Sequence, residues 1–301
     1  MLDLDRPYAF FCEHEPNAAG ELEAVATIFL TNRECPFRCL MCDLWQNTLD
    51  DRVPPGAIPR QIEYALSRLP LVQHVKLYNS GNFFDAQAIP PSDHGSIARI
   101  LRPFRTVIVE NHPAMCTSAC VEFRDRLESE LEIAIGLETI HPEILPRLNK
   151  RMTVDDFDRA VSFVRSHGIH VRVFILLRPP WLDESEGVDW ALRSMRHAFD
   201  AGARVSSVIP VRAGNGIMDQ LQQSGEFQPP SIRSLEAVVE AGLAMRTGRV
   251  FADLWDVDRL AACRTCAGGR ADRLGIMNRT QQIPEPVVCA VCCPTQVGGT
   301  T

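Results

Sequence analysis

Three cysteines crowd a short stretch near the start of the chain. Cys35, Cys39 and Cys42 stand in the run Thr31-Asn32-Arg33-Glu34-Cys35-Pro36-Phe37-Arg38-Cys39-Leu40-Met41-Cys42. Three thiolates at Cys-x3-Cys-x2-Cys spacing can hold three irons of a four-iron cluster. The fourth iron then lacks a protein ligand and stays open to a substrate or cofactor, as a catalytic metal must. A zinc loop is the alternative, but zinc asks for a fourth ligand, and no Cys or His follows closely after Cys42.

A second set lies near the end, as Cys263-x2-Cys266 and Cys289-x2-Cys292-Cys293, with 22 residues between the two knuckles. Two Cys-x2-Cys knuckles point to a metal without naming it. A zinc ribbon and an auxiliary four-iron cluster both suit this sulfur set, and Cys293 offers an alternative to Cys292. The chain has 11 cysteines, an odd count that argues against a simple disulfide framework. Cys12, Cys116 and Cys120 read as ordinary buried cysteines.

The elements that must position these groups follow from pattern. Short apolar runs at 24–30, 74–78, 106–110, 131–137, 171–177 and 205–211 read as strands, with helices at 58–69, 96–101, 120–127, 155–167, 186–201 and 234–245. Thr153 caps the helix over 155–167 with Asp156 three residues on, and Gly168 ends it. Six β-then-α units predict parallel strands with helical crossovers. The expected fold is α/β: a partial (β/α)6 barrel, or else a doubly wound sheet, with a small C-terminal metal-binding module. Ligands then sit at the C-terminal ends of the strands. Residues 1–23 form an N-terminal extension, 24–249 the core, and 250–301 a cysteine-rich module whose first residues offer one more strand.

Composition narrows the function. The 301 residues are 46% hydrophobic and 23% charged, which excludes a disordered or fibrous chain. No apolar run approaches the roughly 20 residues of a membrane span. The first residues lack the basic start and apolar block of a signal peptide, so a cytoplasmic protein is expected. With 31 basic against 38 acidic residues the net charge is −7, and no basic run occurs. That argues against a broad nucleic-acid surface, where phosphate neutralisation dominates affinity.

The cysteine loop, placed directly after the first strand, resembles that of the radical S-adenosylmethionine (SAM) superfamily. The resemblance implies a [4Fe-4S] cluster on Cys35, Cys39 and Cys42. Its open iron chelates SAM, whose reductive cleavage gives a hydrogen-abstracting 5′-deoxyadenosyl radical. Met41 stands where the family usually has an aromatic residue. Tyr78-Asn79-Ser80-Gly81-Asn82-Phe83 stands where a Gly-Gly-Glu segment binds the SAM amino group. Without that carboxylate, the amino group is left to backbone carbonyls, Ser80 or an Asn side-chain oxygen. Gly136-Leu137-Glu138-Thr139, His141-Pro142-Glu143 and 148–153 resemble the branch holding the Elongator-type, methylthiotransferase and archaeosine-forming enzymes. Residues 79–83, 109–113 and 178–182 look most like the archaeosine-forming group, and the similarity runs over about residues 24–212.

Strand ends supply the remaining candidates. Glu138 is a candidate for the SAM ribose or amino group, or else a helix-terminal carboxylate. Arg178 and Arg212 are candidates for gripping the SAM carboxylate or an anionic substrate, or else surface ion pairs. Glu110 and His112 are expected to face substrate, and Gly214-Asn215-Gly216 to allow close approach of a ligand or simply to turn. The favoured expectation is an enzyme acting on an unactivated carbon of a small nucleoside- or nucleotide-like molecule, with sulfur inserted from an auxiliary cluster. A flavodoxin or ferredoxin would serve as electron donor, with no membrane and no nucleic-acid partner. Two alternatives stand beside it: tRNA base modification of the archaeosine-forming type, and a non-catalytic electron-transfer or zinc-binding protein.

Overall fold

Runs of β-branched residues alternating with amphipathic helices build one eight-stranded sheet, ordered β1 to β8 as in the sequence. The structure is a computed structural model and describes residues 3–292. The strands are β1 (Ala9–Pro16), β2 (Leu22–Phe29), β3 (His74–Tyr78), β4 (Thr106–Asn111), β5 (Glu130–Glu138), β6 (His170–Leu177), β7 (Val205–Pro210) and β8 (Arg249–Ala252). The helices are α1 (Ala57–Leu66), α2 (His94–Ile100), α3 (Ser118–Arg124), α4 (Ile144–Arg147), α5 (Val154–Ser166), α6 (Glu184–Ala201), α7 (Ile217–Gln223), α8 (Ile232–Met245) and α9 (Arg264–Thr280).

The six expected strands are β2 to β7, all parallel. Burial on both faces explains their unbroken apolar reading: in β5 every residue after Glu130 is buried. Thr153 and Asp156 form a reciprocal capping box at the start of α5, and Gly168 just beyond its end takes a φ of +74°.

Two further strands extend the sheet. β8 lies parallel to β7, and β1 lies antiparallel to β2 over its full length. β1 falls within 1–23, the stretch read from sequence as an extension. Glu13 and Glu15 disguised it, because they point at charged partners in the curled sheet. Lys76 of β3 donates to Glu13 at 2.8 Å and also to Glu15. Arg172 of β6 donates to both Glu15 oxygens, at 2.9 and 2.7 Å, and through Nε to Glu132 at 2.7 Å. Arg249 of β8 donates to the Pro16 carbonyl at 2.7 Å, so the two edge strands are tied across the curl.

The last helix was not expected from the sequence, and it runs straight through Gly268-Gly269. α9 packs on α8, β1 and β8. Its buried Arg270 and Arg273 both meet Glu236 of α8, and Asn278 and Gln281 hydrogen-bond the backbone of Ala252 and Val250. Such long-range partners override a local preference against helix. No helix among the described residues is long and apolar enough to cross a membrane.

Candidate functional site

Parallel strands bring the loops that follow them to one rim, and the cysteine loop is the first of these. The chain leaves β2 under the control of Gln61 on α1. This buried amide accepts from Thr31 N at 2.8 Å and donates to the Thr31 carbonyl at 2.8 Å. The loop is then held from several sides. Leu40 N donates to the Leu148 carbonyl at 2.9 Å, and the Asn149 amide donates to the Arg38 carbonyl at 2.9 Å. The Asn215 amide donates to the carbonyls of Leu40, at 2.8 Å, and Cys42, at 3.1 Å. Gly214-Asn215-Gly216 thus secures the loop rather than only turning the chain.

The three thiols are half-buried. Burial pushes Cys35 up, Cys39 up to about 11 and Cys42 up to about 12. A metal that displaces the proton is the usual remedy for such thiols. The Lys150 ammonium acts the other way on Cys35 and Cys39, favouring the thiolate.

The loop after β3 packs directly behind Cys35. The Asn82 amide donates to Cys35 Sγ at 3.3 Å, and its oxygen accepts from His112 N at 2.7 Å. A Cβ on Gly81 would sit 3.2 Å from Cys35 Cβ, so any larger residue would press on the cysteine loop. Ser80 takes a left-handed φ of +54° and bonds the Tyr8 hydroxyl at 2.8 Å. Asn79 is fully buried, and neither atom of its side-chain amide has a partner. A buried amide left unmatched costs about 1–3 kcal/mol, which a polar ligand would recover.

Glu110 is expected to face substrate, but it is engaged within the fold. Its carboxylate turns back under this loop and accepts from Asn79 N at 2.6 Å and Gly81 N at 3.2 Å. Burial pushes it up to about 7, against the pull of those backbone N–H groups. His112 is likewise a support. Its ring lies on Phe37 of the cysteine loop, and its Nδ1 accepts from Ala114 N at 3.1 Å. The proton is therefore assigned to Nε2, which donates to the Lys150 carbonyl at 2.8 Å. Burial, with the nearby Lys150 charge, lowers His112 to about 4, so the ring is neutral.

The other candidates are engaged within the fold. Glu138, at a left-handed φ of +67° where β5 bulges, accepts from Lys150 at 2.5 Å. Both are buried. Arg178 pairs with Glu184 and donates to the Pro229 carbonyl at 3.0 Å. Arg212 donates to Asp253 at 2.8 Å and to the Trp255 carbonyl. The Nε of each arginine is buried without a partner. Met41 packs against the buried cluster that holds Ile144, Leu148 and Leu176.

In the tail, the sulfurs of Cys263, Cys266, Cys289 and Cys292 all lie within 4.8 Å of one another. Cys293 lies outside the described residues.

No family model matches the chain. It is 27% identical over 231 residues to archaeosine synthase subunit beta of Methanosarcina acetivorans, covering 72% of this chain and 66% of that protein. It is 25% identical over 255 residues to the Thermococcus kodakarensis protein of the same name, covering 79% and 78%. Its backbone superposes on Elp3 of Methanocaldococcus infernus with a TM-score of 0.55 at 13% identity, over 86% of this chain. The chain shares the fold of that Elp3 protein. It spans 64% of the length of that Elp3 chain and about two thirds of the Methanosarcina relative.

Within this fold, the sequence pointed to the three cysteines and to residues 79–82, and the structure brings both groups together. It did not point to Tyr8, Phe37 or Lys150 as parts of the site. Lys150 carried a signal only as part of the 148–153 segment, and Asn215 as part of a Gly-Asn-Gly segment read as allowing ligand approach or a turn.

Proposed function

We propose that this chain is a radical SAM enzyme acting on a small nucleoside- or nucleotide-like substrate. The observation that carries the reading is the cysteine loop at the C-terminal end of β2, buttressed by Asn82, Phe37–His112 and Asn215. When bound there, a [4Fe-4S] cluster and SAM supply the electron transfer and the hydrogen-abstracting radical. The chain's own residues bind, orient and shield. Cys35, Cys39 and Cys42 hold iron. Asn79 and Ser80 offer polar atoms where a SAM amino group would lie, with the unmatched Asn79 amide in support. Met41 supplies an apolar flank to the cluster, and Glu138, neutralised by Lys150, presents a rigid acceptor at the end of β5. Arg178 and Arg212 each have one unpartnered N–H with which to meet an anionic group, although their main ion pairs are internal. A flavodoxin or ferredoxin serves as electron donor in this reading.

The experiment is SAM cleavage. Anaerobically reconstituted protein with a strong reductant should form 5′-deoxyadenosine and methionine, and Cys39→Ala should form neither. Ordinary cleavage by Cys39→Ala would overturn the assignment.

Similarity to two proteins called archaeosine synthase subunit beta supports a second reading: modification of a base within tRNA, as one subunit of a larger assembly. The net charge of −7 supports the small substrate instead, unless a partner chain holds the RNA.

A further inference from the structure

We infer that Cys263, Cys266, Cys289 and Cys292 form a mononuclear zinc site, and that the tail carries no auxiliary iron–sulfur cluster. The argument is one of size. The facing sulfurs Cys263–Cys289 and Cys266–Cys292 are 3.8 and 3.6 Å apart, and all four lie within 4.8 Å of one another. A zinc ion bonded to four thiolates at about 2.3 Å holds them at the corners of a tetrahedron with edges of about 3.8 Å. A four-iron cluster gives each cysteine its own iron at a separate corner of a cube, which spreads the ligand sulfurs to about 6 Å. Even a regular tetrahedron with 4.8 Å edges has its centre only about 2.9 Å from each corner. That space takes one ion and cannot take eight cluster atoms.

The surroundings suit a small dianionic centre. The backbone N–H groups of Thr265 and Cys266 face the Cys263 sulfur, and those of Val291 and Cys292 face Cys289. Arg270 Nε donates to Cys266 Sγ at 3.4 Å while its guanidinium also pairs with Glu236 on α8. Such partners orient the ligands and balance their charge. The site also has a mechanical setting. Cys263 caps α9 and Cys266 lies in its first turn, while Cys289 and Cys292 end the strap that returns along the helix. Arg273 holds that strap by donating to the carbonyls of Pro284, at 2.7 Å, and Glu285, at 2.8 Å. One zinc would staple the start of α9 to the Cys289–Cys292 end of the strap. A zinc centre contains no bridging sulfide, so the tail would have no sulfur to donate to a substrate.

The test is metal and acid-labile sulfide analysis of the full chain, purified and reconstituted without oxygen. One zinc with about four irons and four sulfides per chain is the expected result. About eight irons and eight sulfides without zinc would overturn the inference, and so would a single iron in place of the zinc. Cys266→Ser should lose the zinc and keep the iron, whereas Cys39→Ser should lose the iron and keep the zinc. Absence of iron from the wild-type chain would defeat the radical SAM reading and leave the zinc assignment standing. If the tail variant fails to fold, cobalt(II) incorporated in place of zinc reports directly on the wild type. Tetrahedral thiolate ligand-field bands are expected, and an octahedral cobalt spectrum would overturn the site.

Discussion

The imidazole of His112 lies flat against the ring of Phe37, with centroids 3.7 Å apart and planes 10° from parallel. The contact joins the end of β4 to the middle of the cysteine loop. A stacked aromatic pair contributes about 0.5–1.5 kcal/mol beyond its buried area. His112→Ala should therefore release the loop and speed loss of iron to a chelator roughly fivefold, with the fold unchanged by circular dichroism. His112→Phe should restore part of that resistance, since it keeps the stack while losing the ring's bonds to the Lys150 carbonyl and Ala114 N. Equal chelation rates in wild type and His112→Ala would show that the stack does not hold the loop.

Glu110 supports the second loop, and its two variants should separate. Glu110→Ala leaves the N–H groups of Asn79 and Gly81 buried without an acceptor, at about 1–3 kcal/mol each. SAM affinity, read by equilibrium dialysis on the reconstituted protein, should fall about tenfold or more. Glu110→Gln keeps an acceptor oxygen and should lie within about threefold of wild type. A Glu110→Ala protein with unchanged SAM affinity would separate this loop from SAM.

The buried ions of β1 predict acid sensitivity. Burial pushes the Glu15 carboxyl up, but Arg172 and Lys76 outweigh it and hold the group well below the usual carboxylate range. A carboxylate depressed in the native state stabilises fully above its unfolded pKa, near 4.5, and loses that contribution as pH falls further. Urea unfolding at pH 5.5, 4.5 and 3.5 should show stability dropping steeply across the lower interval. Glu15→Gln should be less stable at pH 5.5 and show a flatter drop. Parallel pH profiles for the two proteins would count against the Glu15–Arg172 pair as the cause.

Charge separates the two substrate readings. At −7 net charge and without a basic run, the isolated chain should bind bulk tRNA more weakly than about 1 µM at physiological salt. Filter binding across a salt series measures this. Sub-micromolar affinity would promote the tRNA reading over the small substrate.

Legibility followed the distance over which each signal acts. Cys35, Cys39 and Cys42 are neighbours in sequence and in space, so their spacing alone announced a site. The six parallel strands were legible because both faces are buried and apolar residues dominate their runs, even with Lys76, Glu132 and Arg172 among them. β1 was not, because its inward Glu13 and Glu15 only make sense beside Lys76 and Arg172. α9 was hidden for the same reason: Arg270 and Arg273 are buried against Glu236, more than thirty residues away. Glu110 sat at the expected strand end, and the period of a strand does not say which way its last side chain turns. Asn215 read as ligand approach or a turn and not as a brace, because its partners Leu40 and Cys42 lie 175 and 173 residues away in sequence.

The Glu15–Arg172 bond also sets an order of events during synthesis. Its partners are separated by 157 residues, and Glu15 is made first. Until β6 leaves the ribosome, β1 is an edge strand whose carboxylates lack their guanidinium and whose free side is open to other chains. Closure of the curl is thus a late step, completed only when Arg172 and then Arg249 arrive. A nascent chain stalled before residue 172 would be the aggregation-prone species, and the two arginines act as the latch that ends that exposure.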